Sequence, residues 1–113
     1  MTTCQVLRDG CRYRVDITGH AGYNPGQDIV CAAVSVLAYT YMQCVRDMEE
    51  AGEIESVRLE YLPGDVHVDV VVKERRWEHM EGILEVIETG LELLQHQYPG
   101  HVVVMDGVGE LPR

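Results

Sequence analysis

Apolar and polar residues alternate strictly from Cys11 to Thr18: Cys11, Tyr13, Val15 and Ile17 fall on one face, and Arg12, Arg14, Asp16 and Thr18 on the other. A period of two predicts a half-buried strand. Asp9-Gly10, just before it, is a two-residue turn signal. Cys4–Arg8 and Cys11–Thr18 are therefore expected to form a hairpin that sets Arg8 against Cys11 and Cys4 against Val15. The same period returns at Val66, Val68, Val70 and Val72. It predicts a second strand pair, Ile54–Tyr61 and Val66–Lys73, around Pro63-Gly64-Asp65, with His67 and Asp69 facing outward.

Between the two pairs the period changes to that of a helix. Asp28 is the expected N-cap of a helix that runs from Ile29 through Met48 and stops before Gly52, with apolar residues on nearly all sides of its first three turns. One sheet face cannot cover such a helix, so a second helix or a second subunit is expected to cover the rest. Met80, Ile83, Leu84, Ile87, Leu91 and Leu94 recur at spacings of three and four, while Glu78, Glu81, Glu85, Glu88 and Glu92 take the other side. This predicts an amphipathic helix with a solvated acidic face, ended by Tyr98-Pro99-Gly100 and followed by a short strand, Val102–Met105. The order ββαββαβ implies an α+β two-layer sandwich, with both helices on one face of a largely antiparallel sheet.

Length and charge narrow the function. A chain of 113 residues is expected to form one domain over residues 1–113. A net charge of −10 disfavours direct nucleic-acid binding, which needs clustered Lys and Arg. No stretch is expected to approach the apolar length that spans a bilayer, and Met1-Thr2-Thr3-Cys4 is not expected to open a signal sequence. A cytoplasmic protein that engages no membrane is the expectation. The four cysteines, at positions 4, 11, 31 and 44, lack CxxC spacing. They are expected as free thiols, with Cys4 and Cys11 at opposite ends of the hairpin and out of bonding range.

The chemistry concentrates in Gly19–Ser35. Three glycines and a proline in Gly19–Gln27 make a flexible loop. With Asp28 as N-cap, Cys31 is the third helical residue, where unpaired N–H groups and the positive end of the helix dipole favour an anion. A thiolate is such an anion, and His20, on a loop able to fold back over the helix terminus, is the imidazole available to take or return a proton. Free N–H groups of the first turn are expected to bind the oxyanion formed when the thiolate attacks a carbonyl, which points to acyl transfer. Ser35, four residues on, shares the helical face of Cys31. The plainer readings are a buried cysteine, an exposed loop histidine, a purely structural cap at Asp28 and a serine bonded to its own helix. A metal site at His20 and Cys31 lacks a second ligand pair at zinc-like spacing, and no cofactor fingerprint is present, so none is expected. No role is assigned to His67, His79, His96 or His101.

Gly19-His20-Ala21, followed by Asp28-Ile29-Val30-Cys31-Ala32-Ala33-Val34-Ser35, resembles the signature of the bacterial ribosomal-processing cysteine protease family, Prp. The resemblance implies that Cys31 is the nucleophile and His20 the general base, with Asp28, Ser35 and Gly19 as supporting residues. It further implies a homodimer that trims the N-terminal extension of a large-subunit ribosomal protein precursor, L twenty-seven. The loop from histidine to cysteine is often one residue longer in the family than His20 to Cys31 here, a difference that a Gly/Pro loop can absorb. Two other readings stand beside this one: a non-enzymatic dimeric module that binds a ribosomal or other basic protein through its acidic face, and a thiol enzyme that acts on another acyl donor.

Overall fold

The computed structural model describes residues 1–112. Five strands form one sheet in the order β3-β4-β2-β1-β5: β1 (Thr2–Asp9), β2 (Arg12–Thr18), β3 (Ile54–Leu62), β4 (Asp65–Val72) and β5 (Val102–Val108). β1 and β5 pair in parallel, and every other neighbour pair is antiparallel. Helix α1 (Ile29–Glu50) joins β2 to β3, and α2 (Trp77–Gln97) carries the chain from β4 to β5 at the far edge. The expected ββαββαβ sandwich is the observed one.

The alternating faces decide where the core lies. Cys4 and Val6 of β1, Tyr13, Val15 and Ile17 of β2, and Val66, Val68, Val70 and Val72 of β4 are buried on one face. Both helices pack there and bury Val34, Tyr41 and Val45 from α1 and Met80, Leu84 and Leu91 from α2. Truncation of a fully buried leucine such as Leu84 to alanine would cost about 3 kcal/mol. At its C-terminus α1 closes as a Schellman motif, with Gly52 N donating to Glu49 O and Glu53 N to Met48 O.

Three expectations need correction. In the first hairpin Asp9 pairs with Arg12 and Cys4 with Ile17, so the turn is Gly10-Cys11 and the register is shifted by two residues. A shift of two preserves which face each side chain takes, so burial alone cannot choose between the registers. All four cysteines are free, as expected. Glu88 does not belong to the solvated face of α2. It is 6% exposed and pairs with Arg8, which also binds Glu81 and Asp106. Finally, α1 is by length and composition apolar enough to span a bilayer, contrary to the expectation of no such stretch, although it buries seven residues in the core. Ile29, Val36 and Tyr39 stay exposed on it.

The open face of the sheet is polar. His67 projects there, with Nδ1 2.6 Å from Asp16 and Nε2 2.6 Å from Asp65. The hydrogen bond to Asp16, reinforced by Asp65, raises its pKa.

Candidate active site

Asp28 caps α1 and ties the preceding loop to it. One carboxylate oxygen, Oδ1, accepts from Val30 N at 2.9 Å and Cys31 N at 3.0 Å. The other, Oδ2, accepts from Tyr23 N at 2.8 Å and Asn24 N at 3.1 Å. Desolvation opposes ionisation, yet the N–H groups of Cys31, Asn24, Tyr23 and Val30 together hold the carboxyl below its ordinary range.

The same bonds overturn one expectation. Val30 N and Cys31 N are taken by the Asp28 side chain, and Ala32 N donates to Asp28 O at 3.0 Å, so these first-turn donors are not free to form an oxyanion hole. The donor at the sulfur comes instead from the loop, where Ala21 N lies 3.1 Å from Cys31 Sγ. Cys31 is half-buried.

Two glycines place His20. Gly19 has φ +89°, and a Cβ there would lie 2.5 Å from Met1 O, so only glycine fits without moving the backbone that leads into β1. Its N–H donates to Gly64 O at 2.9 Å, which fastens the start of the loop to the β3–β4 turn. Gly64, at φ +76°, lies under the imidazole.

His20 and Cys31 both line two adjoining concavities. One, of about 250 Å³, runs past Ser35 and Tyr39 of α1 to Leu62 at the end of β3 and to Pro63 and Gly64 of the β3–β4 turn. The other, of about 330 Å³, lies under the loop against Gly22, Pro25, Gly26 and Asp28. Residues 20, 31 and 35 thus share one cleft, with Gly19 in its wall and Asp28 behind it. No hydrogen bond joins His20 to Cys31 among the described residues.

Sequence reasoning missed His101. Its Nδ1 lies 2.9 Å from Ala21 O, and its ring packs nearly perpendicular to that of Tyr23 at a centroid distance of 5.4 Å. Tyr23 packs in turn against Tyr98 at 5.1 Å. Nothing in the local pattern marks this histidine. It reaches the site because β5 runs beside β1, where Thr2 N donates to His101 O.

A half-buried thiol at a capped helix N-terminus, with an imidazole in the same open cleft, has the makings of a cysteine hydrolase. The family model for cysteine protease Prp matches residues 1–103, and the chain belongs to that family and is a cysteine protease. No curated protein matches it. Among solved structures, SMU.848 from Streptococcus mutans is 24% identical, with a TM-score of 0.67 and 96% of each chain covered. The ribosomal processing protease Prp from S. aureus, bound covalently to a product peptide, is 19% identical over 94% of this chain and 99% of that one, with a TM-score of 0.69. The same S. aureus protease with a substrate peptide is 18% identical, with a TM-score of 0.66 over 94% of this chain and 99% of that one. At these identities the structural likeness bears on the fold.

Proposed function

We propose that the chain is a cytoplasmic endopeptidase that removes the N-terminal extension of a large-subunit ribosomal protein precursor, L twenty-seven, with Cys31 as nucleophile and His20 as general base. The observation that carries the reading is the position of Cys31 Sγ, opposite Ala21 N–H and in the cleft that His20 also lines. Support for the substrate class comes from the S. aureus relative, which is described as a ribosomal processing protease.

In this mechanism His20 takes the Cys31 proton, and the thiolate attacks the scissile carbonyl carbon. The tetrahedral intermediate collapses, its C–N bond breaks, and His20 returns the proton to the departing amine. Water activated by His20 then hydrolyses the thioester and releases the acid product. Asp28 holds the helix terminus and the loop together, Gly19 fixes the approach of His20, and Ser35 lines the cleft beside the sulfur. The active form is a homodimer that uses no cofactor.

The test is mass spectrometry of the precursor after incubation with the protein. Trimming by the parent, lost in Cys31→Ala and in His20→Ala while both variants keep the parental circular dichroism, is the expected result. Trimming that survives Cys31→Ala would overturn the assignment. Binding without any cleavage would favour a module that engages basic proteins.

A further inference from the structure

Ala21 is held from three directions. Its N–H points at the Cys31 sulfur at 3.1 Å, its carbonyl oxygen faces His101 Nδ1 at 2.9 Å, and its side chain is 1% exposed. It directly follows His20, so whatever fixes Ala21 fixes both the donor at the nucleophile and the root of the proposed base. The next six residues, Gly22–Gln27, are exposed and include two glycines at positive φ. They are tied through Tyr23 N and Asn24 N to Asp28 and through Gln27 N to Asn24 O. The loop is therefore pinned at its far end by Asp28 and at its near end by His101.

We propose that His101 is a positioning residue for the protease site, a latch whose Nδ1–H holds the Ala21 carbonyl so that the Ala21 N–H stays on the Cys31 sulfur. The proposal rests on the reading of Cys31 as nucleophile. The acceptor is a carbonyl oxygen, so Nδ1 must carry the proton. His101 is itself anchored, with its own N–H donating to Tyr98 O at 3.1 Å and its carbonyl accepting from Thr2 N at 2.9 Å at the entry to β5. Tyr23 completes the arrangement by packing nearly perpendicular to the imidazole, so the loop also contacts its own latch. Loss of the latch leaves the thiolate without a charge-assisted hydrogen bond, and such bonds are worth about tenfold or more in an equilibrium.

The geometry separates two conservative replacements. An asparagine amide places its N–H close to where Nδ1 stands, whereas a glutamine amide reaches towards Nε2. Iodoacetamide labelling of Cys31 at pH 7, followed by peptide mass spectrometry, is compared for the parent, His101→Asn, His101→Gln and His101→Ala, with precursor cleavage measured in parallel. Expected are near-parental rates for His101→Asn and about tenfold slower labelling for His101→Gln and His101→Ala. In cleavage the loss falls on kcat rather than KM. Equal behaviour of the Asn and Gln variants would overturn the latch, as would parental labelling in His101→Ala. If parental Cys31 labels rapidly but the precursor is not cut, the substrate assignment fails while the labelling series still decides the latch. A parental Cys31 no more reactive than Cys44 would overturn the nucleophile and the latch together.

Discussion

The imidazole of His20 lies so close over Gly64 that a Cβ at position 64 would stand 2.7 Å from its Cε1 and 2.8 Å from its Nε2. The β3–β4 turn is thus the floor on which the proposed base rests. Gly64→Ala is expected to push the ring off this floor and, because residue 64 sits at φ +76°, to add about 1 kcal/mol of backbone strain. A misplacement on the scale of an ångström should lower kcat by roughly tenfold to a hundredfold. Steady-state kinetics beside a thermal melt check this: the activity loss should far exceed what the small destabilisation explains.

Asp28 divides its two oxygens between the helix and the loop, and asparagine offers only one acceptor. Asp28→Asn should keep the helix cap and a near-parental melting temperature, but free Tyr23 N and Asn24 N and lower cleavage by about tenfold. Asp28→Ala should lose both functions and melt lower by roughly 5 °C. The carboxyl's folded pKa lies below its unfolded value, so its contribution is present above the unfolded value near 4 and is lost as pH falls through the folded one. Melting curves with paired kinetics separate the two roles.

Arg8 serves three carboxylates: Glu81, Glu88 and Asp106. Burial and the neighbouring Asp106 push Glu88 up to about 7 against the pull of Arg8. A carboxyl with a raised folded pKa favours the folded state when protonated. Its contribution is full below the unfolded value near 4.3 and erodes as pH rises through about 7. Glu88→Gln should therefore gain on the parent in denaturant midpoint between pH 5 and pH 8. Arg8→Met should instead lose about 3 kcal/mol at pH 8, because it strands a buried charge.

The elements and the helical position of Cys31, the proposed nucleophile, were legible because they depend on local pattern. Period-two runs marked β2 and β4, and Asp28 announced both the start of α1 and the helical position of Cys31. What stayed hidden depends on strand order. Pairing of β5 with β1 is what delivers His101 to Ala21 and sets Asp106 beside Arg8, and neither contact has a signature within a few residues of chain. Glu88 read as solvated because its spacing puts it among the other glutamates, and only the partner reaching across from β1 lets it be buried. The two-residue register shift escaped detection because both registers bury the same face.

Cys31 reactivity in the parent and in His20→Ala tests the central claim most directly. Burial pushes the Cys4 thiol up to about 11 and also raises that of Cys44, so both should label slowly at pH 7. The account predicts that iodoacetamide modifies Cys31 first, at least about tenfold faster than Cys4 or Cys44, and that His20→Ala removes most of that advantage. Labelling of Cys31 no faster than Cys44, or unchanged in His20→Ala, would contradict it.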